Sequence, residues 1–245
     1  MQVRFLGSGD AFGSGGRLNA CILAEHDGRR VLLDCGASAM VSLRRFGIDP
    51  NSIEAILVSH LHGDHFGGLP FFLLDARLVS RRRTPLVLAG PPGLPERLAA
   101  AQEALFPGSS GREGAFPLTF LAVEPGGTAQ VGPATVTAAE VVHPSGAPSL
   151  ALRLDWGGRV LAYTGDTEWT DALIPVGRGA DLLIGECYAF DAPVRYHLDH
   201  RTWVEKAPLI GARRLVLTHL SAAALAHLDE MAFETAHDGL EIVLD

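Results

Sequence analysis

The chain has 245 residues, 47% hydrophobic and 20% charged, with 20 Lys and Arg against 28 Asp and Glu and a formal net charge of −8. That length and apolar content support a sizeable buried core, and no uncharged apolar run reaches the roughly 18 residues that a membrane-spanning helix needs. The acidic balance disfavours an extended polyanion as partner, and three cysteines without C-x-x-C spacing (Cys21, Cys35 and Cys187) read as small buried hydrophobes of a reducing cytoplasm.

The N-terminal MQVRFLGSGD lacks the continuous apolar segment of a secretory signal. Residues 3–6 read as a strand that runs into a Gly-rich loop at 7–16, which lacks the full dinucleotide-binding pattern. Two short apolar runs at 21–24 and 31–33, separated by His26-Asp27-Gly28, read as a hairpin. Ser38 is placed to cap a helix through Phe46, with Gly47 as its stop. An Ile- and Leu-rich strand at 53–58 then delivers Ser59 and His60 to its C-terminal end, where open α/β folds place chemistry.

Beyond it a helix is expected over 66–80, its start blurred by Gly67, Gly68 and Pro70, followed by a strand at 86–89 and a helix at 95–105. The run Phe71, Phe72, Leu73, Leu74 reads as core or dimer contact, and Arg81-Arg82-Arg83 as a solvated loop. The segment PGSSGREGAFP at 107–117 is a loop and a candidate lid. Strands follow at 118–123, 134–142, 150–154 and 160–163, the last pair turned by Asp155-Trp156-Gly157-Gly158. A strand at 181–184, a helix at 202–210, a strand at 215–217, a helix at 222–236 and a strand at 241–244 complete the chain. The order predicts one domain over residues 1–245, an α/β sandwich of two β-then-α halves packed face to face.

The stretch SHLHGDHFGG at 59–68 packs His60, His62, Asp64 and His65 into six positions, a density of imidazole and carboxylate suited to zinc and related divalent ions. His143, Asp166 and His219 each follow a predicted strand and add three more donors. Seven donors exceed what one tetrahedral ion needs, so their number argues for two ions, with open positions for water. Alternation groups His60 with His62, sends Asp64 and His65 to the second ion and leaves Asp166 as the bridge.

On these residues the chain resembles the metallo-β-lactamase superfamily, whose H-x-H-x-D-H motif matches His60-Leu61-His62-Gly63-Asp64-His65. The LGSGD loop, the Asp34-Cys35-Gly36 turn, His143, Gly165-Asp166-Thr167 and Thr218-His219 extend the match over nearly the whole chain. The resemblance implies a four-layer αβ/βα sandwich with two mixed sheets flanked by helices. It also implies that His60, His62 and His143 bind one ion and Asp64, His65 and His219 the other, with Asp166 between them. The ions are expected to be zinc, with manganese or iron as alternatives.

Within the superfamily the chain is similar to the ribonuclease Z group and its small phosphodiesterase relatives. His200-Arg201-Thr202 fits that group's H-x-T motif, which makes His200 the expected proton donor or oxyanion stabiliser, and Glu186 matches a glutamate expected to orient a ligand histidine. His26, His227 and His237 are read as solvated or structural, and His197 is set aside. The gap between His143 and Asp166 is too short for the tRNA-gripping arm of ribonuclease Z. The resemblance therefore implies a metal-dependent hydrolase of a small or nucleotide-derived phosphodiester, in which a metal-bridging hydroxide attacks phosphorus, held by the catalytic carboxylates Asp64 and Asp166. Alternatives are a tRNA 3′-processing endonuclease, a hydrolase of carboxylic esters, lactones or arylsulfates, and a metal-binding interaction module. A homodimer is expected from family habit alone.

Overall fold

The structure, a computed structural model, describes residues 1–110 and 116–245. The candidate lid at 107–117 therefore lies partly outside the described residues.

The first half runs β1 (Gln2–Gly7), β2 (Cys21–His26), β3 (Arg29–Leu33), α1 (Ala39–Arg45), β4 (Ile53–Leu57), α2 (Gly63–Phe66), α3 (Leu69–Leu78), β5 (Leu86–Gly90), α4 (Leu94–Leu105) and β6 (Leu118–Ala122). The second runs β7 (Thr128–Val131), β8 (Ala134–Val141), β9 (Ser149–Trp156), β10 (Arg159–Tyr163), α5 (Leu173–Gly177), β11 (Leu182–Glu186), α6 (His200–Ile210), β12 (Leu215–Thr218), α7 (Ala222–Leu225) and β13 (Glu234–Thr235), and β14 (Glu241–Val243) returns to the first sheet. The two seven-stranded sheets have the orders β14-β1-β2-β3-β4-β5-β6 and β13-β12-β11-β10-β9-β8-β7. Each is mixed, antiparallel through its hairpins and parallel where helices make the crossovers.

Side-chain alternation along the strands builds the layers. In β2, Ile22 and Ala24 face the core between the sheets, where they join Val136, Leu152 and Tyr163 of the second sheet. Cys21 and Leu23 face the other way, into an apolar layer with Leu43, Phe72 and Leu98 of α1, α3 and α4. The outer face of the second sheet is covered in the same way by Leu173 and Val176 of α5 and by Trp203 and Ile210 of α6. The four-layer αβ/βα sandwich anticipated from the sequence is the observed fold.

Several local expectations need correction. The helix expected over 66–80 is two helices, since α2 ends at Phe66 and α3 starts afresh at Leu69 with Pro70 in its first turn, where a missing N–H costs nothing. The strand β7 and the short helix α5 were not anticipated. The helix expected over 222–236 is a single turn, α7, followed by a 3-10 turn at Leu228–Glu230 and by β13, because residues 234–235 pair in parallel with β12 instead. The β9–β10 turn is only Gly157-Gly158, both at positive φ (60° and 74°), as a two-residue hairpin of this twist requires. The arginine run is not solvated throughout. Arg82 is 1% exposed, and its guanidinium donates to the carbonyls of Thr84, Pro50, Ile53 and Pro85 at 2.6–3.0 Å. None of the described helices is long and apolar enough to cross a membrane.

Candidate metal centre

The C-terminal ends of the inner strands converge on one edge of the sandwich and carry the donors there. β4 leads to Ser59, His60 and His62, and the turn into α2 presents Asp64 and His65. His143 follows β8, Asp166 follows β10, and His219 follows β12. Tight backbone contact holds the turn in place: a Cβ on Gly36 would fall 2.1 Å from the carbonyl oxygen of Asp64, so the Asp34-Cys35-Gly36 segment fits beneath the cluster only with glycine.

The seven residues gather in two sets, His60 with His62 and His143, and Asp64 with His65, Asp166 and His219, the candidate ligand atoms of each set lying within 4.8 Å of one another. Asp166 reaches both. Its Oδ1 is 3.3 Å from His65 Nε2, and its Oδ2 is 3.3 Å from His219 Nε2 and 3.9 Å from both His60 Nε2 and His143 Nε2.

The far side of the histidines is tied down. Ser59 donates its backbone N–H and hydroxyl to Asp34, which leaves the Ser59 oxygen to accept from His60 Nδ1 at 3.1 Å. His65 Nδ1 donates to Asp34 Oδ2 at 2.7 Å, an oxygen that also accepts from the Tyr163 hydroxyl, and His143 Nδ1 donates to the Tyr196 carbonyl at 3.0 Å. Each bond fixes the tautomer that turns Nε2 toward the cluster. Asp34, Tyr196 and His219 all sit at positive φ (60°, 69° and 62°), a costly conformation for residues with side chains and one that persists only where neighbours enforce it.

The donors fit a cation. Buried and without a hydrogen-bond partner among the described residues are His60 Nε2, His65 Nε2, Asp166 Oδ1 and His219 Nδ1. Such atoms are costly to leave unmatched, and imidazole nitrogen and carboxylate oxygen are the donors that zinc, manganese and iron accept. The electrostatics agree. Burial pushes the Asp166 carboxyl up, but His219, His65 and His60 around it outweigh burial and hold it well below the usual range. Burial pushes His219 down, yet Asp166 and Asp64 bring it up to about 9. The set around Asp64 and Asp166 thus favours positive charge beside its carboxylates, whereas burial holds His60, His62 and His143 below the usual imidazole range, as neutral ligands require.

His200 does not join this centre. Asp199, not Thr202, caps α6: its Oδ1 accepts from the Thr202 N–H at 2.8 Å, so His200 becomes the first helical residue and turns into the protein. There it is 8% exposed, stacked on Phe190 with ring centroids 4.9 Å apart, and its Nε2 accepts from the Ala232 N–H at 2.8 Å. The histidine that lies beside the donors is His197, in the loop ahead of the cap. The His197 ring lies 5.0 Å from that of His143 and stacks at 5.9 Å on that of His219, and its Nδ1 is 3.0 Å from Glu186 Oε1. Burial lowers the His197 pKa, but the bond to Glu186 outweighs it and the net shift is upward. The sequence carries half of this signal: with Asp199 as the cap His197 falls in a loop and His200 in the helix, but Thr202 is an equally good cap by residue type. Glu186 is fully buried at the end of β11 and, besides His197, accepts from the N–H of Thr167, next to Asp166, at 2.7 Å. An apolar groove of about 850 Å³ between α1 and α3 contains none of these donors.

Residues 1–227 match the family model described as the anti-Pycsar protein Apyc1. The chain belongs to the Apyc1 family. This Apyc1-family chain is 29% identical to the ribonuclease Z of Limosilactobacillus fermentum, over 96% of the chain and 92% of that protein. It superposes on human tRNase Z, short form, with a TM-score of 0.82 and 27% identity over the full length of both. The metallo-β-lactamase fold protein YhfI of Bacillus subtilis gives a TM-score of 0.79 at 23% identity over 98% of each chain, a likeness of fold. The Apyc1-family chain is thus a metal-dependent hydrolase with the metallo-β-lactamase fold.

Proposed function

We propose that the chain is a dinuclear metal-dependent phosphodiesterase whose substrate is a small or nucleotide-derived phosphodiester. The observation that carries this reading is the pair of adjoining donor sets, each with unmatched buried atoms, that share the Asp166 carboxylate. In this reading His60, His62 and His143 hold one ion and Asp64, His65 and His219 the other, with Asp166 between them. Zinc fits the histidine-rich donors, as do manganese and iron. When bound, two such ions lower the pKa of water and neutralise charge on phosphate oxygens.

The chain's own groups supply the rest. Asp64 and Asp166 accept hydrogen bonds from the attacking water and orient it. His197 gives a proton to the departing oxygen, and the buried Glu186 carboxylate at its Nδ1 fixes the ring and favours its protonated form. Residues 1–245 act as one domain, and three buried free cysteines accord with a reducing cytoplasm.

The interval between His143 and Asp166 supports a small substrate. Only the β9–β10 hairpin occupies that interval. The alignment with the ribonuclease Z is 294 positions long, longer than the 245-residue chain, so that relative carries residues this chain lacks. A second reading, tRNA 3′ processing, is favoured by the names of the relatives. A panel of the metal-replete protein against bis(p-nitrophenyl) phosphate, cyclic nucleotides, a tRNA precursor with a 3′ trailer, a lactone and an arylsulfate separates the readings. Turnover of the small diesters with an intact precursor is expected. Cleavage of the precursor alone would establish the second reading, and turnover of only the lactone or sulfate would refute both.

A further inference from the structure

His219 occupies an awkward place: it is 4% exposed, it closes the carboxylate-rich donor set, and its backbone stands at φ 62°. A β-substituted residue keeps that conformation only where its surroundings leave no alternative. The His219 N–H itself is held by the carbonyl of Ser8 at 3.1 Å, and the neighbouring Thr218 hydroxyl donates to the same oxygen at 3.2 Å, while β11 holds the other side through the Cys187 N–H on the Thr218 carbonyl at 2.8 Å. Ser8 stands in the Gly-rich loop directly after β1, between glycines at 7 and 9 that let the backbone of residues 17–19 approach closely: a Cβ on Gly7 would fall 2.0 Å from the Asn19 carbonyl oxygen.

What holds Ser8 is Asp238. One carboxylate oxygen accepts both the backbone N–H of Ser8 at 3.0 Å and its hydroxyl at 2.9 Å, and the other accepts the N–H of Leu18 at 2.9 Å. The two ends of the loop are thereby pinned to one side chain, and the Gly9 N–H closes the same base on the Leu18 carbonyl at 2.7 Å. Arg17 adds a bond from Nη1 to the carbonyl of Ala236, two residues ahead of Asp238. Charge-assisted bonds of this kind are roughly twice as strong as neutral ones, and three of them meet on one half-buried carboxylate.

We infer that Asp238 is a positioning residue for the metal centre: through Ser8 it fixes the backbone of His219 and so sets the affinity of the ion held by Asp64, His65, Asp166 and His219, while leaving the three-histidine ion alone. The inference rests on the two-ion reading above. Asp238 lies outside residues 1–227 that match the family model, and it touches none of the donor side chains directly.

The experiment titrates metal-free full-length protein with Co²⁺, following the visible ligand-field bands, which separate a site of three histidines and the shared Asp166 from one of two histidines, Asp64 and the shared Asp166, together with the melting temperature of the metal-free protein. In Asp238→Ala the Kd of the site that contains Asp64 and His219 is expected to rise by about 10–100-fold, with the three-histidine site unchanged. Asp238→Asn keeps an acceptor for Ser8 but presents an NH₂ to Leu18, and its affinity is expected to fall between the two. Uptake of both ions by Asp238→Ala with wild-type affinity would overturn the inference. So would equal weakening of both sites in step with a lower melting temperature, which would make Asp238 a general staple of the fold, or an Asn variant no better than Ala, which would tie the effect to charge rather than to bonding. Wild-type protein that takes up fewer than two Co²⁺ ions would instead overturn the two-ion reading, and this inference with it.

Discussion

Two histidines three positions apart, His197 and His200, are assigned opposite consequences by the structure. In His200→Ala the Ala232 N–H loses its acceptor and Phe190 loses the ring stacked on it at 4.9 Å. The first is worth about 1 kcal/mol and the second about 0.5–1.5 kcal/mol, so a loss of about 2 kcal/mol is expected. For a chain of this length that corresponds to a fall of roughly 4–8 °C in melting temperature. Turnover of bis(p-nitrophenyl) phosphate should stay at the wild-type level, because the side chain does not face the donors. In His197→Ala the sign reverses: kcat is expected to drop by about 10²–10⁴-fold with the metal content unchanged. Thermal melts, metal analysis and steady-state kinetics on the two variants decide the matter. A His200 variant that melts like wild type but has lost turnover would refute the reasoning, as would a His197 variant with full kcat.

Three further outcomes are expected. Asp34→Asn should keep the fold, since Asn tolerates the positive φ, but its NH₂ faces the Tyr163 hydroxyl or His65 Nδ1, so metal affinity measured by competition with a chromogenic chelator should fall by about 10–100-fold. Arg82→Ala takes a buried donor from four backbone carbonyls, of which that of Pro50 keeps the Ile53 N–H, and should cost about 3 kcal/mol in urea unfolding, with Arg82→Lys recovering only part of it because an ammonium lacks the planar fork. Removal of both ions by chelation should lower stability by about 5 kcal/mol, about 2.7 per site, relative to protein at a free-ion concentration near 100 Kd for each, a shift of roughly 10–20 °C. An identical melt with and without chelator would contradict the fit of the donors to a cation.

The local sequence determined the outline of this protein. Strand and helix periods gave the two β-then-α halves, and the spacing of His60, His62, Asp64 and His65 needed no tertiary information, since four donors within six residues cannot be far apart. His143, Asp166 and His219 were legible because each follows an apolar run that has to be a strand, and parallel strands present their C-terminal ends together. Other features depended on contacts between residues far apart in the chain. Asp199 and Thr202 are both good helix caps, and the choice between them, which decides whether His197 or His200 reaches the metal centre, is made by the bond from the Thr202 N–H and by the fit of His200 under Phe190 and Ala232. The alanine-rich run from Ala222 favours helix by composition, but pairing of Glu234–Thr235 with β12 recovers backbone bonds that a longer helix would have had to replace. Arg82 looks solvated in a run of three arginines and proves to be the link between four carbonyls, because burial of a charge is tolerated only where the fold brings enough acceptors around it. Periodicity and spacing act within a few residues and can be read directly. Which of two equivalent side chains faces the site is settled by their tertiary partners, Glu186 for His197 and Phe190 and the Ala232 N–H for His200, and only the folded chain supplies them.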